Sequence, residues 1–192
     1  MKERTFVMIK PDGVERSLIG EIIARFERAG LKVVALKMFK FDKELAEKFY
    51  PTSEEWFEKV GQKTKKSYEE FGLNVKEHLG TDDEKEIGKI VKKWLVEFVC
   101  SKPVVGMVLE GNRAVEIVRK IVGHTFPYKA LPGTIRGDYS LESPELANLG
   151  KRAVKNLIHA SDSKEEAERE IKTIFKEDEI FDYKNCLDRI YG

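Results

Sequence analysis

The stretch Thr5-Phe6-Val7-Met8-Ile9-Lys10-Pro11-Asp12-Gly13 sets the reading of this chain. Five nearly all-apolar residues closed by Pro-Asp-Gly describe a short buried strand that stops at a turn, with Lys10 delivered to the strand's end. Outward from it, Ile19, Ile22, Ile23 and Phe26 recur at helical spacing from Leu18 to Ala29, and Gly30 supplies the stop. Leu31 to Phe41 then reads as a second strand, and Asp42 as the N-cap of a short helix carrying Leu45, Phe49 and Tyr50.

From about Glu58 to Val99 the chain is polar at first and reads as a surface excursion. Thr81-Asp82-Asp83-Glu84 matches a capping box ahead of Ile87, Ile90, Val91, Trp94, Leu95 and Phe98, which predicts a long packed helix. Pro103 to Leu109 is a further strand, and Asn112 caps a helix that stops at Gly123. His124 to Asp138, with two prolines and two glycines, is expected to be a loop, and Ser140 to Gly150 a second irregular region. Ala153 to Ile158 is expected as a strand that His159 follows, and Ser163-Lys164-Glu165-Glu166 opens a helix through Phe175. Strands interleaved with helices on one sheet predict an α/β (α+β) ferredoxin-like sandwich, mostly antiparallel, with an inserted helical lobe. The 192 residues are expected to form one domain with insertions at about 58–99 and 140–150.

Composition narrows the function classes. Lys and Arg total 35 against 34 Asp and Glu, a formal net charge of +1, so no overall field draws the chain to nucleic acid or an acidic membrane. Any anion site must be local. Cys100 and Cys186 are too few for a disulfide framework or a Cys-rich zinc site, which fits a reducing, cytoplasmic setting. No apolar run approaches the roughly 20 residues of a membrane span, and the amino terminus lacks the pattern of a signal peptide.

Two standard phosphate motifs are excluded. Gly106-Met107-Val108-Leu109-Glu110-Gly111 has P-loop glycine spacing, but Asn112-Arg113 replaces the Lys-Ser/Thr pair, and no G-x-G-x-x-G occurs. Side chains must then handle phosphate. Lys10, Arg119, Thr125 and Arg136 are candidates, because a guanidinium fork matches phosphate oxygens and lysine adds a compact charge. Most of the chain's cations are solvated surface charges, so composition alone does not single these out. Of the three histidines, His78 reads as surface, His124 borders the loop, and His159 stands just ahead of a helix start, where an imidazole can act as a nucleophile toward phosphorus or simply fill the junction.

Lys10-Pro11-Asp12-Gly13-Val14, Gly133-Thr134-Ile135-Arg136-Gly137-Asp138 and Asn156-Leu157-Ile158-His159-Ala160-Ser161-Asp162-Ser163 together resemble the signatures of the nucleoside diphosphate kinase family, in the family's order. The resemblance implies that His159 takes a phosphoryl group on Nδ1, that Glu170 orients it, that Tyr50 and Ser161 support it, and that Lys10, Arg119, Thr125, Arg136 and Asn156 hold phosphates and ribose. It implies a base stacked on Phe57, with Trp56 as second choice, and magnesium carried by the phosphates of ATP, GTP and other nucleotides rather than by protein ligands. It also implies a homo-oligomer, a hexamer ahead of a tetramer. The familiar Gly after the catalytic histidine is Ala160 here, and the two insertions have no counterpart in the family's shorter form. Two rival readings are a catalytically silent nucleotide binder and a single-strand nucleic-acid module, the latter disfavoured by the near-neutral charge.

Overall fold

The computed structural model describes residues 2–186 and 188–191. In chain order it contains β1 (Glu3–Ile9), α1 (Pro11–Glu15), α2 (Ile19–Arg28), β2 (Lys32–Phe39), α3 (Lys43–Phe49), α4 (Glu54–Glu70), α5 (Val75–Leu79) and α6 (Glu84–Ser101). These are followed by β3 (Val104–Gly111), α7 (Ala114–Val122), α8 (Ile135–Tyr139), α9 (Pro144–Leu149), β4 (Ile158–Ala160) and α10 (Lys164–Ile174). The chain clusters into two compact units: Met1–Lys40, Pro103–Leu141 and Asn156–Gly192 form the first, Phe41–Lys102 and Glu142–Lys155 the second. No helix among the described residues is long and apolar enough to cross a membrane.

The first unit is built on a four-stranded sheet ordered β2-β3-β1-β4, every pairing antiparallel, in the ferredoxin-like α+β arrangement. Alternation along β1 divides its side chains between two faces. Val7 and Ile9 share a buried cluster with Val105, Met107 and Leu109 of β3, Ile22 and Phe26 of α2, and Val118 and Val122 of α7. Phe6 points the other way, its ring edge-on to Phe175 at 6.4 Å and tilted toward His159 at 6.1 Å. Because Met8 pairs directly with His159, that histidine shares the Phe6 face, which α10 covers.

Four local expectations are corrected. Pro11-Asp12-Gly13 is the first turn of α1, since proline at N1 gives up a donor the helix would leave unpaired anyway. The loop after Gly123 ends in α8, capped by Thr134, whose Oγ accepts from Gly137 N–H. The irregular region 140–150 holds α9, capped by Ser143. The strand expected from Ala153 is three residues, Ile158–Ala160, and His159 sits inside it; Leu157 at φ +67° prevents an earlier start.

The second unit pairs α4 with α6, and the lead-in read as a surface excursion is the seventeen-residue helix α4. Its polar faces disguised it, because only Phe57, Gly61, Ser67 and Tyr68 are buried along it. Gly61 and Gly88 make the pair close: a Cβ on Gly61 would lie 1.8 Å from Glu84 O, and one on Gly88 2.1 Å from Phe57 O.

Candidate active site

Three backbone segments of the first unit meet around the end of β1. Lys10 leaves the strand and its N–H donates to Leu157 O at 2.8 Å, which anchors the segment entering β4. Its buried ammonium donates to Asn156 Oδ1 at 2.7 Å, and Asn156 Nδ2 donates to Thr125 O at 2.8 Å. Arg136, only 8% exposed, is presented by α8. Its Nε donates to Asn156 O (3.1 Å), one terminal nitrogen to Gly123 O (3.1 Å) and His124 O (3.3 Å), and the other to Ile158 O (2.6 Å). Four of its five N–H groups thus bind backbone carbonyls, tying the end of α7, the loop and β4 together.

Gathering cations here has an electrostatic cost. Burial, then the charge of Arg136, lower the Lys10 pKa to about 8, against the opposing pull of Asp12. Burial, then Arg119, lower that of Arg136 to about 10, again with Asp12 opposing. Arg119 itself is exposed near the end of α7, and Thr125 is exposed in the loop. An incoming polyphosphate would relieve this crowding.

On the α10 face, His159 Nε2 lies 2.8 Å from Glu170 Oε1, with the imidazole a quarter exposed and the carboxylate buried. Ser161, fully buried, donates to Glu170 Oε2 at 2.6 Å and accepts from Phe6 N–H at 3.3 Å. Ser163 Oγ caps α10 by accepting from Glu166 N–H, so the helix begins where it can send Glu170 back beneath the histidine. Burial works against ionising Glu170, yet the His159 charge and the hydrogen bonds from His159 and Ser161, with Arg169, hold its pKa below the ordinary value. An ionised carboxylate only accepts, so Nε2 carries a proton, and in the neutral form of the ring the lone pair is on Nδ1.

Lys10, Arg119, Thr125, Arg136, Asn156, His159, Ser161 and Glu170 therefore belong to one unit around one strand end. Tyr50 and Phe57 belong to the second unit. Tyr50 is buried after α3 with its ring 5.3 Å from that of Phe49, and Phe57 is buried on α4, with the half-buried Trp56 5.6 Å away. The residue that sequence reasoning passed over is Asp12. It is buried, and its Oδ2 accepts from Leu157 N–H at 2.9 Å. Its signal was present in the first motif, as an acid at the second position of a helix opened by proline.

The chain resembles proteins of known activity over nearly its whole length. A nucleoside diphosphate kinase from Pyrobaculum aerophilum is 57% identical over 180 residues, 94% of this chain and 98% of that one. One from Methanocaldococcus jannaschii is 47% identical over 95% of this chain and 99% of its own. Among solved structures, an NDP kinase from P. aerophilum superposes with a TM-score of 0.93 at 55% identity, covering 95% of this chain and all of that one. A transition state mimic of nucleoside-diphosphate kinase from Borrelia burgdorferi, with bound vanadate and ADP, gives 0.79 at 37% identity over 99% of this chain and 96% of that one. The fold and these likenesses define a nucleotide-using phosphotransferase. The chain belongs to the nucleoside diphosphate kinase family, whose profile matches residues 3–68 and 74–180.

Proposed function

We propose that the enzyme moves the γ-phosphate of a nucleoside triphosphate to a nucleoside diphosphate by a ping-pong cycle through phospho-His159. The hydrogen bond from His159 Nε2 to Glu170 carries this reading, because it fixes the tautomer whose Nδ1 lone pair can attack phosphorus. In the first half, Nδ1 bonds to the γ-phosphorus while the bond to the bridging oxygen breaks, and the diphosphate leaves with that electron pair. The Nε2 proton stays on the ring, where the Glu170 carboxylate offsets the positive charge that develops. In the second half, a terminal oxygen of another diphosphate attacks the same phosphorus and returns the lone pair to Nδ1. Ser161 holds Glu170 in place through Oε2.

Lys10, Arg119 and Arg136, with Asn156 and Thr125, hold the phosphates and ribose; the vanadate and ADP of the B. burgdorferi relative support an anion site of this kind. Lys10, Arg119 and Arg136 are cations, so magnesium would be held by the nucleotide's phosphates rather than by these residues and would supply charge neutralisation of the phosphate oxygens. A base held by stacking, which the π-face of every base allows, would give broad specificity. The chain works as one cytoplasmic kinase domain, with insertions at about 58–99 and 140–150, in a homo-oligomer, hexamer before tetramer.

Incubation with magnesium and γ-labelled ATP tests the cycle. Wild type is expected to take up acid-labile label that His159→Ala does not, and to pass it to GDP, CDP or UDP alike. With its nucleophile gone, His159→Ala should turn over at least ~10⁴-fold more slowly. Unchanged turnover in that variant, or ATP binding without label on wild type, would sink the proposal.

A further inference from the structure

We propose that Asp12 is a positioning residue of the anion site: its buried carboxylate fixes the backbone turn leading to His159 and supplies the counter-charge among the site's buried cations on which binding of a diphosphate depends. The backbone half of this rests on Leu157, a non-glycine residue at φ +67°, a strained left-handed conformation that persists only where its surroundings impose it. Leu157 is held from both sides, its N–H by Asp12 Oδ2 and its carbonyl by Lys10 N–H. Gly13 closes in so tightly that a Cβ there would lie 2.9 Å from Leu157 O. Asp12 thus fixes the turn that delivers Asn156 to one side and Ile158 and His159 to the other.

The electrostatic half rests on the second oxygen. Asp12 is 7% exposed, and its Oδ1 is buried without a hydrogen-bond partner. A buried carboxylate half satisfied by hydrogen bonds is costly unless charge compensates it. Compensation comes from Lys10 and Arg136, whose ionised forms Asp12 favours. Around Lys10 stand Arg136 from α8, Asp12 from α1 and the neutral amide of Asn156, while β4 beside β1 carries His159 and Arg119 from α7 acts on Arg136. Lys10 already sits at about 8, so removing the negative charge of Asp12 would lower it toward neutrality.

Asp12→Asn keeps an oxygen to accept the Leu157 N–H and removes the charge. ADP affinity measured by calorimetry from pH 7 to 9.5 should decline in wild type as Lys10 loses its proton, near pH 8. In Asp12→Asn the decline should begin about one pH unit lower, a roughly fivefold weaker affinity at pH 8 that approaches tenfold by pH 9.5, with recovery toward wild type at the acid end. Asp12→Glu, which keeps the charge, should decline where wild type does even if it binds more weakly overall. A decline unmoved in Asp12→Asn, an equal loss at every pH, or a decline moved in Asp12→Glu would overturn the inference. It rests on the phosphate-binding part of the proposed function, but ADP affinity requires no phosphohistidine, so failure of labelling on wild type is a separate result.

Discussion

In the first unit, buried Lys10, Asp12, Arg136, Asn156, Ser161 and Glu170 bond to one another and to the backbone of the segments that meet at the end of β1. In the second, α4 and α6 turn most of their charges outward and meet through glycines, while the buried polar groups form small local pairs such as Asn148 with Ser67 and Lys92 with Glu47. The same charged composition therefore does two jobs. Polar groups in the first unit tie separate backbone segments together at an electrostatic cost; those in the second keep a helix pair hydrated while small residues set its geometry.

The sharpest way to separate the two is an added methyl group. Gly61→Ala would put Cβ inside the van der Waals radius of Glu84 O, forcing the helices apart. The expected loss is about 3 kcal/mol of stability, the upper end for overpacking, read from the midpoint of denaturant unfolding. A loss below ~1 kcal/mol would show that the close approach of α4 and α6 contributes little.

Glu170→Gln breaks the polar logic of the first unit with almost no change of shape. The neutral amide cannot balance the charge that develops on His159, and transfer should slow about thirtyfold, or ~2 kcal/mol, in single-turnover labelling. Its effect on stability has a defined sign. Because the folded pKa lies below the ordinary 4.5, the carboxylate's contribution is complete above that value and lost as pH falls through the lower one. Melting temperatures of wild type and Glu170→Gln should differ at pH 6 to 7 and converge in acid. A gap that persists undiminished down to pH 3 would mean the carboxylate charge is not what stabilises the site.

How much of this was legible varied with the kind of signal. The β1 run, the α2 and α7 periodicities and the Ser163 cap lie where their patterns predict, because burial on one face leaves a period in the sequence. The α4 helix was not, since its apolar residues are too few to show a period amid charge. The three-residue β4 was misread as longer because Ala153-Val154 looks like strand, while the Leu157 conformation that sets its start follows from tertiary bonds to Asp12 and Lys10. For the site, motif resemblance named most of the polar residues now found together. It could not assign Asp12, whose role depends on which carbonyls and cations the fold brings near it.

A smaller effect tests whether the first unit's order reaches beyond its buried residues. Arg25 on α2 donates to Tyr139 Oη at 2.7 Å and Gly133 O at 3.1 Å, pairs with Asp138 at 2.7 Å, and lies over the Tyr139 ring at 4.6 Å. Arg16 donates to the Tyr139 carbonyl, and Asp138 in turn accepts from Gly133 N–H at 2.7 Å. These contacts clamp both ends of the turn and helix that present Arg136. Arg25 touches none of the site residues itself, so Arg25→Met should loosen α8 without removing a donor. The expected result is about a fivefold loss in kcat/KM, ~1 kcal/mol, with most of it recovered in Arg25→Lys, which restores the pairing to Asp138 but not the fork. If Arg25→Met transfers phosphate at the wild-type rate, Arg136 is held by its four carbonyls alone. A loss that Arg25→Lys fails to relieve would instead assign the clamp to the planar contacts with Tyr139.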